Sequence, residues 1–246
     1  MKPAHALHGC FVTGTDTEIG KTRISAALLH VFAEAGRRSA GLKPVAAGID
    51  LIDGQRVNED VRALRDAGSL PLTDAEVGPM QFEAACAPHI AAALEGRAID
   101  RRALLDAACA LAARADVLVV EGVGGFCVPL GADWDTADLA ADLGLPVVLV
   151  VGLRLGCISH ALLTAEAIRS RGLRLAGWVG NRVVRDMPWA DDNVAALRHE
   201  FERRHGAPCL GVVPWLADPS PAAVAAHLDI AALHGVLASS SSVFSS

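Results

Sequence analysis

The chain has 246 residues, 52 % hydrophobic and 20 % charged, which supplies a large core and excludes an intrinsically disordered protein. Twenty-two Lys and Arg against 28 Asp and Glu leave a net charge of −6, the wrong sign for a protein built to grip nucleic-acid phosphates. The most apolar stretch, 143–153 between Asp142 and Arg154, is shorter than the roughly 18 residues of a membrane span, and residues 1–8 lack the apolar run of a secretory signal, so no membrane partner and a cytoplasmic location are expected.

Short Val-, Ile- and Leu-rich runs alternate with amphipathic stretches along most of the chain, the pattern of an α/β fold with a mostly parallel sheet and helices on both faces. A first strand is expected over 9–12. The helix beginning at Lys21 carries Ile24, Ala27, Leu28, Val31, Phe32 and Ala35 on one buried face and stops at Gly36. A second strand is expected over 40–45. From Gly48 to Pro88 the pattern is broken by Gly54, Gly68, Pro71, Gly78 and Pro79, which predicts short helices and loops over one end of the sheet. Beyond it come strands over 117–121, 147–151, 175–179 and 209–213, and helices over 101–113 with Asp100 as N-cap, 159–171 and 189–204. With no internal repeat and no linker composition, one domain over 1–237 is expected, followed by a frayed Ser-rich tail over 238–246. The six cysteines show neither a C-x-x-C pair nor metal-ligand spacing, so most are expected to be small buried apolar residues.

The strongest local signal is Gly14-Thr15-Asp16-Thr17-Glu18-Ile19-Gly20-Lys21-Thr22, placed between a strand and a helix. Backbone N–H groups curling at a helix N-terminus, a lysine for β/γ oxygens and a Thr hydroxyl for Mg²⁺ are what a phosphate-cradling P-loop needs. The usual spacing puts a glycine at position 15, where Thr15 stands, and Gly14 comes one residue early. Glu121 closes a buried strand at the end where open α/β sheets place ligand groups, and Gly122, Gly124 and Gly125 let backbone approach a ligand. Asp60 reads equally well as a further metal ligand or a helix N-cap. Lys43 in Gly41-Leu42-Lys43-Pro44-Val45 reads by itself as a solvated lysine, or else as a second ammonium brought toward the same phosphate. Asn181 after a strand reads as an adenine-edge partner or a turn residue, and the lack of an Asp within three residues favours ATP over GTP.

Together these positions resemble the dethiobiotin synthetases, whose P-loop matches residues 11–22 almost letter for letter. Further blocks agree in order: Gly41 to Val45, Asp60, Pro88-His89-Ile90, Val120 to Gly125, Leu155 to His160, Ala176 to Val179 with Asn181, and Val213 to Leu216. The resemblance implies ATP-dependent carboxylation of 7,8-diaminopelargonate with CO₂ or bicarbonate, through a carbamate and its phosphoric anhydride, to a cyclic urea. It makes Lys21 and Lys43 catalytic, with Thr22, Asp60 and Glu121 holding Mg²⁺. Glu18, Ile19, Gly20, Lys21, Thr22, Arg23, Asp60, Glu121, Gly122, Val123, Gly124, Asn181, Arg182, Pro214, Trp215 and Leu216 would bind ATP and its metal. Thr17, Glu18, Lys43, Ala47, Gly156, Cys157 and Ser159 would line the diamine, whose carboxylate meets a helix N-terminus of the neighbouring subunit in a homodimer.

Two positions depart from that family's pattern: Ala47 replaces a Ser and Ser159 an Asn, each a change on the order of one hydrogen bond, about 0.5–1.5 kcal/mol. A partitioning or positioning ATPase switch is the main rival. Such switches resemble one another in a lysine five residues before the P-loop lysine, where this chain has Asp16. A small-molecule kinase would need an acceptor-side base and an Arg-rich lid, for which Arg182, Arg185 and Arg203-Arg204 are the candidates. A family member that binds ATP without turnover finds no support in the P-loop residues.

Overall fold

The computed structural model describes residues 7–52 and 54–238. In chain order the elements are β1 Gly9–Gly14, α1 Lys21–Glu34, β2 Ser39–Leu42, β3 Val45–Ala47, β4 Asp50–Ile52, β5 Gln55–Val57, α2 Glu59–Ala67, α3 Asp74–Val77, β6 Met80–Phe82 and α4 Pro88–Leu94. They continue as α5 Arg101–Ala112, β7 Val117–Glu121, α6 Thr136–Leu143, β8 Val147–Leu153, α7 Cys157–Ser170, β9 Leu175–Arg182, α8 Ala190–His205, β10 Cys209–Val213, α9 Pro221–Ala225 and α10 Ile230–Ala238.

Among the described residues six strands form the central sheet in the order β10-β9-β8-β1-β7-β2, with every pair parallel. Helices cover both faces, so β7 and β8 are buried along their whole length, which is why they read as continuous apolar runs. All of the sheet's chain crossings return to the same edge polarity, and the carboxyl ends of the six strands therefore share one rim. The expected α/β class and the six expected central strands are present.

The second expected strand is a correction. It was read as continuous over 40–45, but β2 stops at Leu42 and β3 begins at Val45, pairing with β6 in a separate two-stranded sheet. Pro44 offers no N–H, and the Lys43 N–H donates to Val77 O at 2.7 Å, outside the central ladder. The segment from Gly48 to Pro88 forms short helices as expected, but also β4, β5 and β6, and α2 runs for nine residues. On α1 the predicted face is buried except for Ala35, which is the exposed C-cap. Asp100 caps α5 by accepting from Arg102 and Ala103 N–H groups. All six cysteines are free, yet only Cys10 and Cys157 are buried; Cys86 and Cys127 are exposed because they lie in loops, which corrects the expectation of mostly buried thiols. The expected Ser-rich tail lies, from 239 onward, outside the described residues. Among the described residues no helix is long and apolar enough to cross a membrane.

Candidate functional site

The loop 15–20 leaves β1 at the sheet rim and ends on Gly20, the N-cap of α1, whose φ of 86° is open to glycine at little cost. A Cβ there would stand 2.3 Å from the Asn181 amide nitrogen, so the close approach of Asn181 needs the same glycine. Glu18 also takes a positive φ, 55°, which tightens the turn of backbone. Ile19 is buried and anchors the loop: a Cβ on Gly152 of β8 would meet Ile19 Cγ2 at 2.5 Å, so this missing side chain is the socket for Ile19. Asn181 Nδ2 donates to Ile19 O at 2.8 Å, tying the loop to the end of β9.

Two lysines meet here. Lys21 Nζ donates to Asp16 O at 2.7 Å. Burial lowers its pKa to about 8 from the ordinary 10.5, assisted by the like charge of Lys43 and opposed by Glu121, Asp60 and Asp16. Lys43, one residue past β2, is almost fully buried and its Nζ contacts Glu121 Oε1 at 2.6 Å, Asp60 Oδ2 at 2.7 Å and Gly122 O at 3.3 Å. Burial works against its charge, but Glu121 and Asp60 outweigh that and raise its pKa. Burial likewise pushes the Asp60 carboxyl up, and Lys43 above all holds it below the usual carboxylate value.

Register explains the meeting. Val12 of β1 lies opposite Glu121, and Leu42 of β2 opposite Val120, so the phosphate loop, Glu121 and Lys43 leave three adjacent strands at one level. Asp60 arrives from α2. Asp60 is not the N-cap: Asn58 holds that place, accepting from Val61 N–H at 3.1 Å, and Asp60 in the first turn meets Thr22 and Lys43. Thr22 Oγ1 lies 2.6 Å from Asp60 Oδ1 and 2.9 Å from Glu121 Oε1, one hydroxyl proton between two acceptors.

Three oxygen-bearing side chains thus converge, and the fully buried Glu121 Oε2 has no hydrogen-bond partner. An orphaned buried carboxylate oxygen beside a second carboxylate and a hydroxyl suits a hard cation shared with phosphate oxygens. Among the described residues no group of three His, Cys, Asp or Glu side chains could hold a metal by itself. Thr22, Asp60 and Glu121 are therefore a partial ligand set that fits Mg²⁺ only together with a ligand's oxygens.

Of the remaining sequence candidates, Gly122, Val123 and Gly124 follow β7 directly, and Thr17, Glu18 and Arg23 are exposed on the loop and first turn. Arg182 pairs with Asp191 at 2.6 Å. Pro214, Trp215 and Leu216 follow β10, beside the end of β9. Ala47 ends β3, half-buried; Gly156 caps α7, Cys157 is buried and Ser159 exposed in its first turn. Among the described residues no hydrogen bond or ion pair joins these last four to Lys21 or Lys43. Asp16 of the loop makes a contact that the sequence pattern does not announce: its carboxylate pairs with Arg154, just past β8. A surface depression lined by Arg198, Cys209 and Asp229 among others lies at the start of β10, away from this cluster.

A parallel sheet with a glycine-capped phosphate loop after its first strand, a lysine and a threonine opening the next helix, and an acidic strand end beside them define a P-loop ATPase fold. A family model described as an AAA domain, AAA_26, matches residues 8–223, and the chain belongs to that family, which takes in dethiobiotin synthetase-like proteins. In fold the chain is similar to the ParA family ATPase from Chlorobium tepidum TLS, with a TM-score of 0.50 and 14 % identity over 92 % of this chain and 99 % of that one. MinD cell division protein from Aquifex aeolicus aligns at a TM-score of 0.48 and 12 % identity, covering 97 % of this chain and 98 % of that one. Cell division protein FtsY from Thermotoga maritima aligns at 0.48 and 16 %, covering 96 % and 70 %. At these identities the likeness is one of fold.

Proposed function

We propose that the protein is an ATP-dependent ring-closing ligase that joins CO₂ to 7,8-diaminopelargonate to give dethiobiotin. The observation that carries this reading is Lys43, a buried ammonium at the end of β2 held by Glu121 and Asp60, the two carboxylates that also meet Thr22 of the phosphate loop. The rival switch class carries its second lysine within the loop, at the position of Asp16, whereas here the second fixed cation stands at the end of β2. A carbamate acceptor is an anion that must approach an anionic γ-phosphoryl group, and two ammoniums flanking the path offset that repulsion.

In the proposed sequence one amine of the diamine adds to CO₂ and loses a proton, giving the carbamate. A carbamate oxygen attacks the γ-phosphorus as the bond to ADP breaks. The second amine then attacks the carbonyl carbon, phosphate departs, and the nitrogen's proton is released. Lys21 would leave Asp16 O to follow the γ-phosphoryl oxygens, while Lys43 would hold the carbamate side. Thr22, Asp60 and Glu121 would hold Mg²⁺, which supplies charge neutralisation for the β- and γ-oxygens. Asn181 and residues 214–216 would face the adenine; Thr17, Glu18 and Ala47 would face the diamine. A homodimer with Gly156, Cys157 and Ser159 against the neighbour's substrate is supported by the exposed Leu155 and Leu163 on and beside α7 and the exposed Trp189 before α8, apolar groups that a second copy would cover.

The partitioning or positioning ATPase is the second reading, and the ParA-like fold favours it. Against it stands Asp16 in place of that class's lysine, with its carboxylate engaged by Arg154. Incubation with Mg·ATP, bicarbonate and the diamine separates the two. Phosphate release that depends on the diamine, with a product of dethiobiotin's mass, is expected. Release indifferent to the diamine would replace the ligase by the switch.

A further inference from the structure

Three residues beyond β9, the Arg185 guanidinium carbon stands 5.4 Å from the ring centroid of Trp215, which is two residues beyond β10. Trp215 is 44 % exposed. The two loops leave the sheet side by side, since Val213 lies opposite Asn181, and Asn181 itself touches the phosphate loop through Ile19 O. Arg185 and Trp215 therefore stand on the β9–β10 side of that loop. On its other side, at the ends of β7 and β2, stands the charged cluster of Lys43, Glu121 and Asp60. On the proposed reading, a nucleotide with its phosphates at the start of α1 would set its base on the β9–β10 side, away from that charged cluster, where Trp215 offers an exposed aromatic surface for stacking.

One face of that ring lies under Arg185, although the residue as a whole stays 44 % exposed. A base inserted between indole and guanidinium would need roughly 7 Å, twice the contact separation of carbon atoms, and the present gap is 5.4 Å. Nor is the cover fastened: the neighbouring Arg182 is paired with Asp191, but among the described residues no carboxylate pairs with Arg185. We propose that Arg185 is a displaceable cover on the base-binding face of Trp215, so that a purine nucleotide must expel the guanidinium to stack. The proposal rests on the nucleotide-binding reading of the site. A half-exposed cation–π contact is worth about 0.5–1 kcal/mol, and losing it on binding weakens affinity roughly two- to five-fold.

The test is calorimetric titration of the full chain and its Arg185→Ala variant with Mg·ATP, ADP and inorganic triphosphate. The variant is expected to bind both nucleotides two- to five-fold more tightly and triphosphate unchanged, and the gain is expected to vanish when the same change is made in Trp215→Leu. Weaker nucleotide binding by Arg185→Ala would overturn the proposal, making Arg185 a nucleotide ligand. Equal affinities would overturn it as well, leaving the contact a bystander. Triphosphate binding by the parent without binding of either nucleotide would overturn the nucleotide reading itself, a result distinguishable from both.

Discussion

The carboxyl ends of β1, β7 and β2 and those of β8, β9 and β10 sit along one rim, and they carry opposite kinds of residue. The first half buries charge: Lys21, Lys43, Glu121 and Asp60 share one cluster. The second half offers Gly152, the Asn181 amide and, further out, the exposed Trp215 under Arg185, with its only strong charges at the surface. Charge held in low dielectric acts strongly on a reacting phosphoryl group and costs folding energy if one partner is lost. Apolar and amide contacts at an open edge recognise a ligand without that dependence. On the proposed reading, the contrast separates reaction from recognition within one sheet.

The sharpest way to break the contrast is Lys43→Met. It removes the counter-charge of the wholly buried Glu121, so diamine-dependent phosphate release is expected to fall about 10²–10³-fold and urea denaturation to show a loss of about 3–5 kcal/mol. An activity loss without the stability loss would mean that the cluster is not a buried ion network. A pH profile comes next. Lys21 in the free protein titrates near 8, so kcat/KM is expected to fall about tenfold per pH unit above 8. The same lowered pKa acts oppositely on folding: between 8 and 10.5 the unfolded chain holds the Lys21 proton longer than the folded one, so this group's contribution to stability rises with pH. Chemical denaturation at pH 8 and pH 10 reads that sign.

In the open half, Gly152→Ala drives a methyl against Ile19 and is expected to cost about 1–3 kcal/mol and to loosen nucleotide binding, measured by thermal unfolding and calorimetry. Unchanged affinity would show that Ile19 does not key the loop to β8. The smallest effect belongs to the half-exposed Asp16–Arg154 pair: Asp16→Asn is expected to change stability by under about 1 kcal/mol, and that difference should shrink further in 1 M salt.

Much of the buried half was legible because its signals are local. A strand, a loop and a helix in sequence announce the phosphate site, and a carboxylate closing an apolar run announces Glu121. Asp60 was ambiguous for a physical reason: Asn58, two residues earlier, is an equally good cap, and only the packed fold shows which side chain accepts from Val61. The pairing of Asp16 with Arg154 carries no local pattern, because it joins residues brought together only by the β1–β8 ladder. The break at Pro44 could have been anticipated from its missing N–H, but the apolar run across it masked the end of β2. The helix α6 was overlooked although Asp135 and Asp138 form a reciprocal cap, since its short apolar stretch merges with the strand that follows.

The placement of β1 has a consequence for how the molecule comes into being. Cys10 pairs with Val119 on one side and Phe11 with Val147 on the other, so the first strand is completed only by segments made much later. Closing such long loops and pairing parallel strands are slow steps. The loop at 14–22 leaves a strand whose two neighbours in the sheet are β7 and β8, so a growing chain lacks the frame of this loop until residues 117–153 have been made.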